Sequence, residues 1–245
     1  MNSLLSSPEE KYVEHIERCQ ERLDWIYPIF KNTLIRIFDI NDEGIIRYAS
    51  VNMINFHDLG KLTQKWQKNV AKGKKLPSHA PVGAAYLYKR FTKEKIPEDL
   101  KNAICFAVSI HHTDRGLLGD NIERPDIQAI MEGVVDYDGK IIWAEGVRSQ
   151  SNGYYDEIVE ILTVYDLKET ARSLRIWARG DSLLNQHKKR LQASLMHHIL
   201  KLCDISAASE RKEYHCEDKK DYFGGWLMVE TIESYVNAIK ERLKK

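Results

Sequence analysis

Residues 51–66 read VNMINFHDLGKLTQKW, an amphipathic helical pattern interrupted by His57 and Asp58. Phe56 and Leu59 flank the pair, and Gly60 and Lys61 follow it. Neither an imidazole nor an ionised carboxylate is a core residue by preference, and a buried carboxylate demands a partner. Neighbours on a helix diverge by about 100°, so both side chains can face one ion only at a helix bend or end. Gly60 favours such an end.

Other stretches of the chain suggest what the partner is. Asp204 lies in HILKLCDISAAS, among leucine, isoleucine, cysteine and alanine, on a helix whose middle is apolar nearly all round. A lone ionised carboxylate there costs several kcal/mol unless paired. His111 and His112 are adjacent where an apolar helix gives way to a glycine-containing loop. His15 and His79 are single histidines beside the apolar faces of two further helices. A shared cation would resolve the burial cost at Asp204. Mixed His/Asp ligation suits Mn²⁺, Fe²⁺, Ni²⁺, Co²⁺ or Zn²⁺, and Mg²⁺ less well. Two such ions about 3.5–4 Å apart suit phosphoester hydrolysis.

The bland alternative holds for most isolated histidines. His15, His187 or His215 taken alone reads more readily as a surface or hydrogen-bonded residue. His197 shares Asp204's face two turns earlier and is expected to support Asp204, whereas His198 lies on a leucine face and reads as packing.

Composition narrows the classes. The 245 residues carry 37 basic and 36 acidic side chains, a net charge of +1, so no global polycation attracts nucleic acid. A 43% hydrophobic and 30% charged chain fits a globular protein with a sizeable core. The 4 cysteines, Cys19, Cys105, Cys203 and Cys216, form no CxxC, which points to reduced thiols and a cytoplasmic location. The N-terminus lacks a signal-peptide pattern, and no apolar run reaches the roughly 18 residues of a membrane span.

Periodicity predicts helices over most of the chain. Ser7 and Pro8 predict the start of the first, whose apolar residues Tyr12, Ile16, Cys19 and Leu23 recur at spacings of three and four. The second carries the His57–Asp58 pair and bends or ends near Gly60. AKGKKLPS is a loop, a third helix starts near Ser78 or His79, and a fourth runs from Pro97 to the HH pair. Asp138–Gly139, flanked by β-branched residues, predicts a hairpin. Long helices follow, including a central one around Asp204 and a final one from GGWLMVE onward. One all-α domain over residues 1–245, with a short β-hairpin insertion, is the economical reading.

His15, HDLGK at 57–61, His79 in an SHA context, HH at 111–112 and Asp204 in CDISAAS resemble the HD superfamily of metal-dependent phosphohydrolases. The HDxGK form, the SHA context and the adjacent histidines look most like the stand-alone HD nuclease subunit of type I CRISPR interference. The motifs span residues 15–209. The resemblance implies an all-α HD-domain helical bundle, one or two divalent ions (Mn²⁺, Mg²⁺, Fe²⁺, Ni²⁺ or Co²⁺) and cleavage of single-stranded DNA, with RNA as a further substrate. It implies that His15, His57, Asp58 and Asp204 hold one ion and that His79, His111 and His112 hold a second, with Asp58 bridging. Asp58 and Lys61 would be the catalytic pair, Lys61 neutralising phosphate charge while metal-activated water attacks. The chain has no GxxxxGK[ST] loop, so the resemblance implies a separately encoded helicase and the CRISPR effector complex as partners in antiviral defence.

Local basic residues (Lys72, Lys74, Lys75, Arg115, Arg148, Arg179, Lys188, Lys189, Arg190) could follow a strand backbone, and Trp66 or Trp143 could stack a base. Residues 134–180 match no motif and are expected to shape the groove or the helicase contact. Two other readings stand beside the nuclease: an HD phosphohydrolase of nucleotides or cyclic nucleotides, and a non-catalytic HD-like module that binds nucleic acid or a partner.

Overall fold

The computed structural model describes residues 3–112, 133–209 and 223–243. Helix α1 spans Tyr12–Phe38 and buries the stripe Tyr12, Ile16, Cys19, Leu23 and Ile26. Its start differs from expectation. Leu5–Ser7 (β1) pairs antiparallel with Glu10–Lys11 (β2), so Ser7 and Pro8 sit in a hairpin and Lys11 is the N-cap position. Polar contacts explain the change: Ser6 Oγ donates to Glu10 Oε2 at 2.5 Å, and the Tyr12 amide donates to Leu4 O at 2.9 Å. Gln67 then ties β1 down, accepting from the Leu5 amide at 3.0 Å and donating to its carbonyl at 2.8 Å.

Helix α2 (Glu43–Phe56) is capped by Asp42, whose carboxylate accepts from the Gly44 amide. It stops at His57, and a 3₁₀ turn over Leu59–Leu62 leads into α3 (Gln64–Val70). After an exposed lysine-rich loop, α4 (Ala80–Lys93) begins beside His79 with proline in its first turn. Helix α5 (Glu98–Ser109) ends just before the paired histidines.

The hairpin expected around Asp138–Gly139 is present as a turn rather than as strands. Val135 and Ile141 form an antiparallel bridge, and Gly139 adopts a φ of +77°. This segment lies along the HD-bearing turn: the Gln64 amide donates to Ile142 O and the Ala144 amide to Leu62 O, both at 2.9 Å. Short helices α6 (Val147–Gln150) and α7 (Glu157–Glu160) follow. Helix α8 (Val164–Arg179) opens on a capping box between Thr163 and Asp166.

Helix α9 (Leu183–Ser209) is central, packed chiefly against α5 and α1, while α4 joins α5 to α8. The last helix, α10 (Phe223–Leu243), lies on α9 and α1. One apolar core runs through these contacts, from Ile16 and Leu23 through Met53, Leu87 and Ile104 to Met196, Leu200 and Cys203. Among the described residues no helix is long and apolar enough to cross a membrane. Among the described residues the architecture is all-α with one short antiparallel hairpin.

Candidate metal centre

The end of α2 solves the geometric problem posed by adjacent His57 and Asp58. His57 caps the helix in α conformation, and Asp58 departs from it with φ −96° and ψ 8°, so the two side chains converge. Both are fully buried. Two glycines allow the approach of α4. A Cβ on Gly60 would sit 2.3 Å from the carbonyl oxygen of His79, and one on Gly83 would sit 2.4 Å from that of Phe56.

The structure gathers the sequence-derived candidates into two adjoining donor groups. His15, Cys19, His57 and Asp204 have donor atoms all within 4.8 Å of one another, and so do Asp58, His79, His111 and His112. Asp58 stands between them. Its Oδ2 lies 3.4 Å from the Nε2 atoms of both His15 and His57, while its Oδ1 lies 2.9 Å from His79 Nε2 and 3.5 Å from His111 Nε2. Asp204 Oδ1 is 3.2 Å from His15 Nε2 and 3.8 Å from His57 Nε2. His79 and His112 share a contact of 2.6 Å between Nε2 atoms.

The tautomers suit cation binding. His57 Nδ1 lies 2.7 Å from Ile54 O, and His111 Nδ1 lies 2.6 Å from Val108 O. Each Nδ1–H therefore donates to a carbonyl, and each Nε2 lone pair points into the cluster. Those two Nε2 atoms are buried without a hydrogen-bond partner among the described residues. Among the described residues neither oxygen of Asp58 receives a well-aligned hydrogen bond, although the Lys61 ammonium lies 2.6 Å from Oδ2. Buried polar atoms are rarely left so, and converging lone pairs and carboxylate oxygens fit a divalent cation.

Protonation follows position. Burial pushes the Asp58 carboxyl up, but His57, Lys61, His111 and His15 outweigh it and hold it well below the ordinary range. Asp204 is likewise held low against burial by His15 and His57. For His15 burial opposes the charge, yet Cys19, Asp204 and Asp58 raise it well above the ordinary imidazole value. His79 goes the other way, lowered by burial to about 4. Without a metal, then, a proton on His15 and the Lys61 ammonium neutralise the carboxylates.

Two members of this neighbourhood escape a reading of the sequence by motif. Glu10, nearly fully buried, sits 3.2 Å from His15 Nδ1 and 2.9 Å from the Arg18 guanidinium. The hairpin turns it inward. Cys19 lies one helical turn after His15, with Sγ 3.6 Å from His15 Nε2. That i, i+4 spacing was the available signal.

Other candidates fall elsewhere. Trp66 is only 1% exposed, so it cannot stack a base; its ring packs edge-on against His79 and under the Lys61 ammonium. Trp143 is half-buried against Tyr155. His197 is hydrogen-bonded to the Ile110 backbone, and so supports the turn carrying His111 rather than Asp204. His198 lies edge-on to Phe30, as packing requires. Lys72, Lys74, Lys75 and Arg179 are exposed, and Arg148 pairs with Glu160. Arg115, His215 and Cys216 lie outside the described residues.

No family model matches the chain, and no curated protein does. Solved structures do. The CRISPR-associated Cas3 HD domain protein from Methanocaldococcus jannaschii superposes with a TM-score of 0.62 at 17% identity, over 82% of this chain and 100% of that one. The chain has the HD-domain fold. Within this fold, the His57–Asp58 pair occupies the junction of both donor groups, where the chain turns from α2 toward α3.

Proposed function

We propose that the chain is a metal-dependent nuclease that cleaves single-stranded DNA, with RNA as a further substrate. We read residues 1–245 as one catalytic unit, acting in the cytoplasm beside a separately encoded helicase and a CRISPR effector complex. The observation that carries the reading is Asp58, whose two oxygens face separate histidine-rich donor groups. A carboxylate so placed is suited to bridge two divalent ions. His15, His57 and Asp204 would complete one site, and His79, His111 and His112 the other. When bound, the ions supply positive charge that makes water more acidic and offsets charge on phosphoryl oxygens.

The chain's own groups orient and balance. Glu10 fixes the His15 ring, and the Ile54 and Val108 carbonyls fix those of His57 and His111. Lys61, held on Asp58, can offer its ammonium to a phosphate at the same cleft. Asp204, with 15% of its side chain exposed, and exposed His112 mark the edge open to a substrate. The name of the fold neighbour adds the CRISPR context.

The test is incubation of the protein with end-labelled single-stranded DNA, and separately with nucleotides, in EDTA or in Mn²⁺. The reading expects shortening of the DNA in Mn²⁺, none in EDTA, and none with Asp58→Asn. Hydrolysis of nucleotides with intact DNA would favour the nucleotide phosphohydrolase instead. Inactivity on both would favour a binding module.

A further inference from the structure

We propose that Cys19 is a metal ligand, and that the site at His15, His57 and Asp204 is consequently softer than its neighbour. The inference rests on the metal-centre reading and extends it to a residue outside the expected ligand set. His15 and Cys19 project from the same face of α1, one turn apart, both fully buried. Sγ lies 3.6 Å from His15 Nε2, the ring atom that also faces Asp58 and Asp204. The four donor atoms of His15, Cys19, His57 and Asp204 lie mutually within 4.8 Å.

A buried cysteine is ordinarily a small hydrophobe. Cys105 and Cys203 are equally buried and belong to neither donor group, which is the ordinary case. Cys19 differs in its company. The independent pointer is His57 Nε2: fully buried, without a hydrogen-bond partner among the described residues, and turned into the same group by its Nδ1 hydrogen bond to Ile54 O.

Coordination would replace the S–H bond of Cys19 by a metal–sulfur bond, with the proton released to solvent. The first group would then offer two imidazoles, a thiolate and a carboxylate, a set suited to Zn²⁺, Co²⁺ or Fe²⁺. The second offers three imidazoles and the Asp58 carboxylate, with no sulfur. Two ions of different chemical character would thus sit side by side, the softer held more tightly.

Cobalt titration of the metal-free full-length protein reads this without activity. The first equivalent should give visible cobalt bands together with an intense near-ultraviolet thiolate-to-cobalt band. Cys19→Ser should keep the visible bands and lose the near-ultraviolet one, while Cys105→Ser keeps both. Visible bands without a thiolate band in the wild type would overturn the role of Cys19 and leave the metal centre standing. No cobalt bands at all would overturn both. X-ray absorption of the wild type with one equivalent of Zn²⁺ needs no variant. One sulfur at about 2.3 Å is expected, and a shell of nitrogen and oxygen alone would refute the proposal.

Discussion

Asp58 carries opposite duties on its two oxygens. Oδ1 meets His79 and His111, while Oδ2 meets His15, His57 and the Lys61 ammonium. A metal approaching Oδ2 competes with that ammonium, which sets a sign for Lys61→Met. The variant keeps the bulk and removes the charge that compensates Asp58 in the metal-free protein. Breaking a buried pair in this way costs about 3 kcal/mol or more. Bound Mn²⁺ would supply the missing charge, so the Mn²⁺-induced rise in melting temperature should be larger than in wild type, with cleavage reduced. An equal loss of melting temperature with and without Mn²⁺ would mean that Lys61 acts through packing.

The histidines set a second sign. His79 is lowered by burial from the ordinary 6.5 to about 4, so between those values the unfolded chain binds a proton that the folded one refuses. Stability of the metal-free protein should therefore fall as pH drops from about 6.5 toward about 4. His15, raised in the folded state, holds its proton in both states over that window and leaves the slope unchanged. His112, His197 and His198 are lowered by burial too and add to the fall, so urea melts in EDTA across that range test the set, and a flat profile would place these imidazoles in wetter sites than the structure gives them.

At the level of elements, two contacts hold the centre together: the N-terminal hairpin against His15, and α4 against the end of α2. Glu10→Gln keeps the hairpin's shape but weakens its hold on His15 Nδ1, and partners of this kind are worth about 10- to 100-fold in metal affinity. Calorimetry should show that loss, and the metal-free protein should melt lower as well, because the buried, protonated His15 loses a counter-charge. Gly60→Ala should be far more disruptive, because its Cβ would meet His79 backbone at 2.3 Å and push α4 from the HD turn. A melting temperature near wild type for that variant would contradict the close approach.

Legibility in the sequence follows the range of the interactions. The helical stripes of α1, α5 and α9 were readable because burial there repeats with the local period. So was the break after His57, which needs only an unfavourable pair and a glycine. The hairpin was not, because Glu10 turns inward through Ser6 and His15, and β1 is anchored by Gln67, far along the chain. Nor was the burial of Trp66, which depends on His79 and on the 133–163 segment reaching back to Leu62 and Gln64. Cys19 was read correctly as core, but the periodicity that put it there hid its nearness to His15.

Over the whole molecule, α1, α2, α4, α5 and α9 each lead into or carry donors of one buried cluster, so the core and the centre are one packing problem. The sequence suggested an uncompensated carboxylate pair without metal. The fold instead surrounds Asp58 and Asp204 with His15 and Lys61. The metal-free protein should accordingly fold, and saturating Mn²⁺ should add only the mass-action stabilisation, about 2.7 kcal/mol at a hundredfold excess over Kd for one site. The most direct test of the central claim is anomalous diffraction at the manganese edge from crystals soaked in Mn²⁺. Two peaks should flank Asp58, one beside His15, His57 and Asp204 and the other beside His79, His111 and His112. Peaks away from Asp58, or none with the ligand side chains ordered, would contradict it.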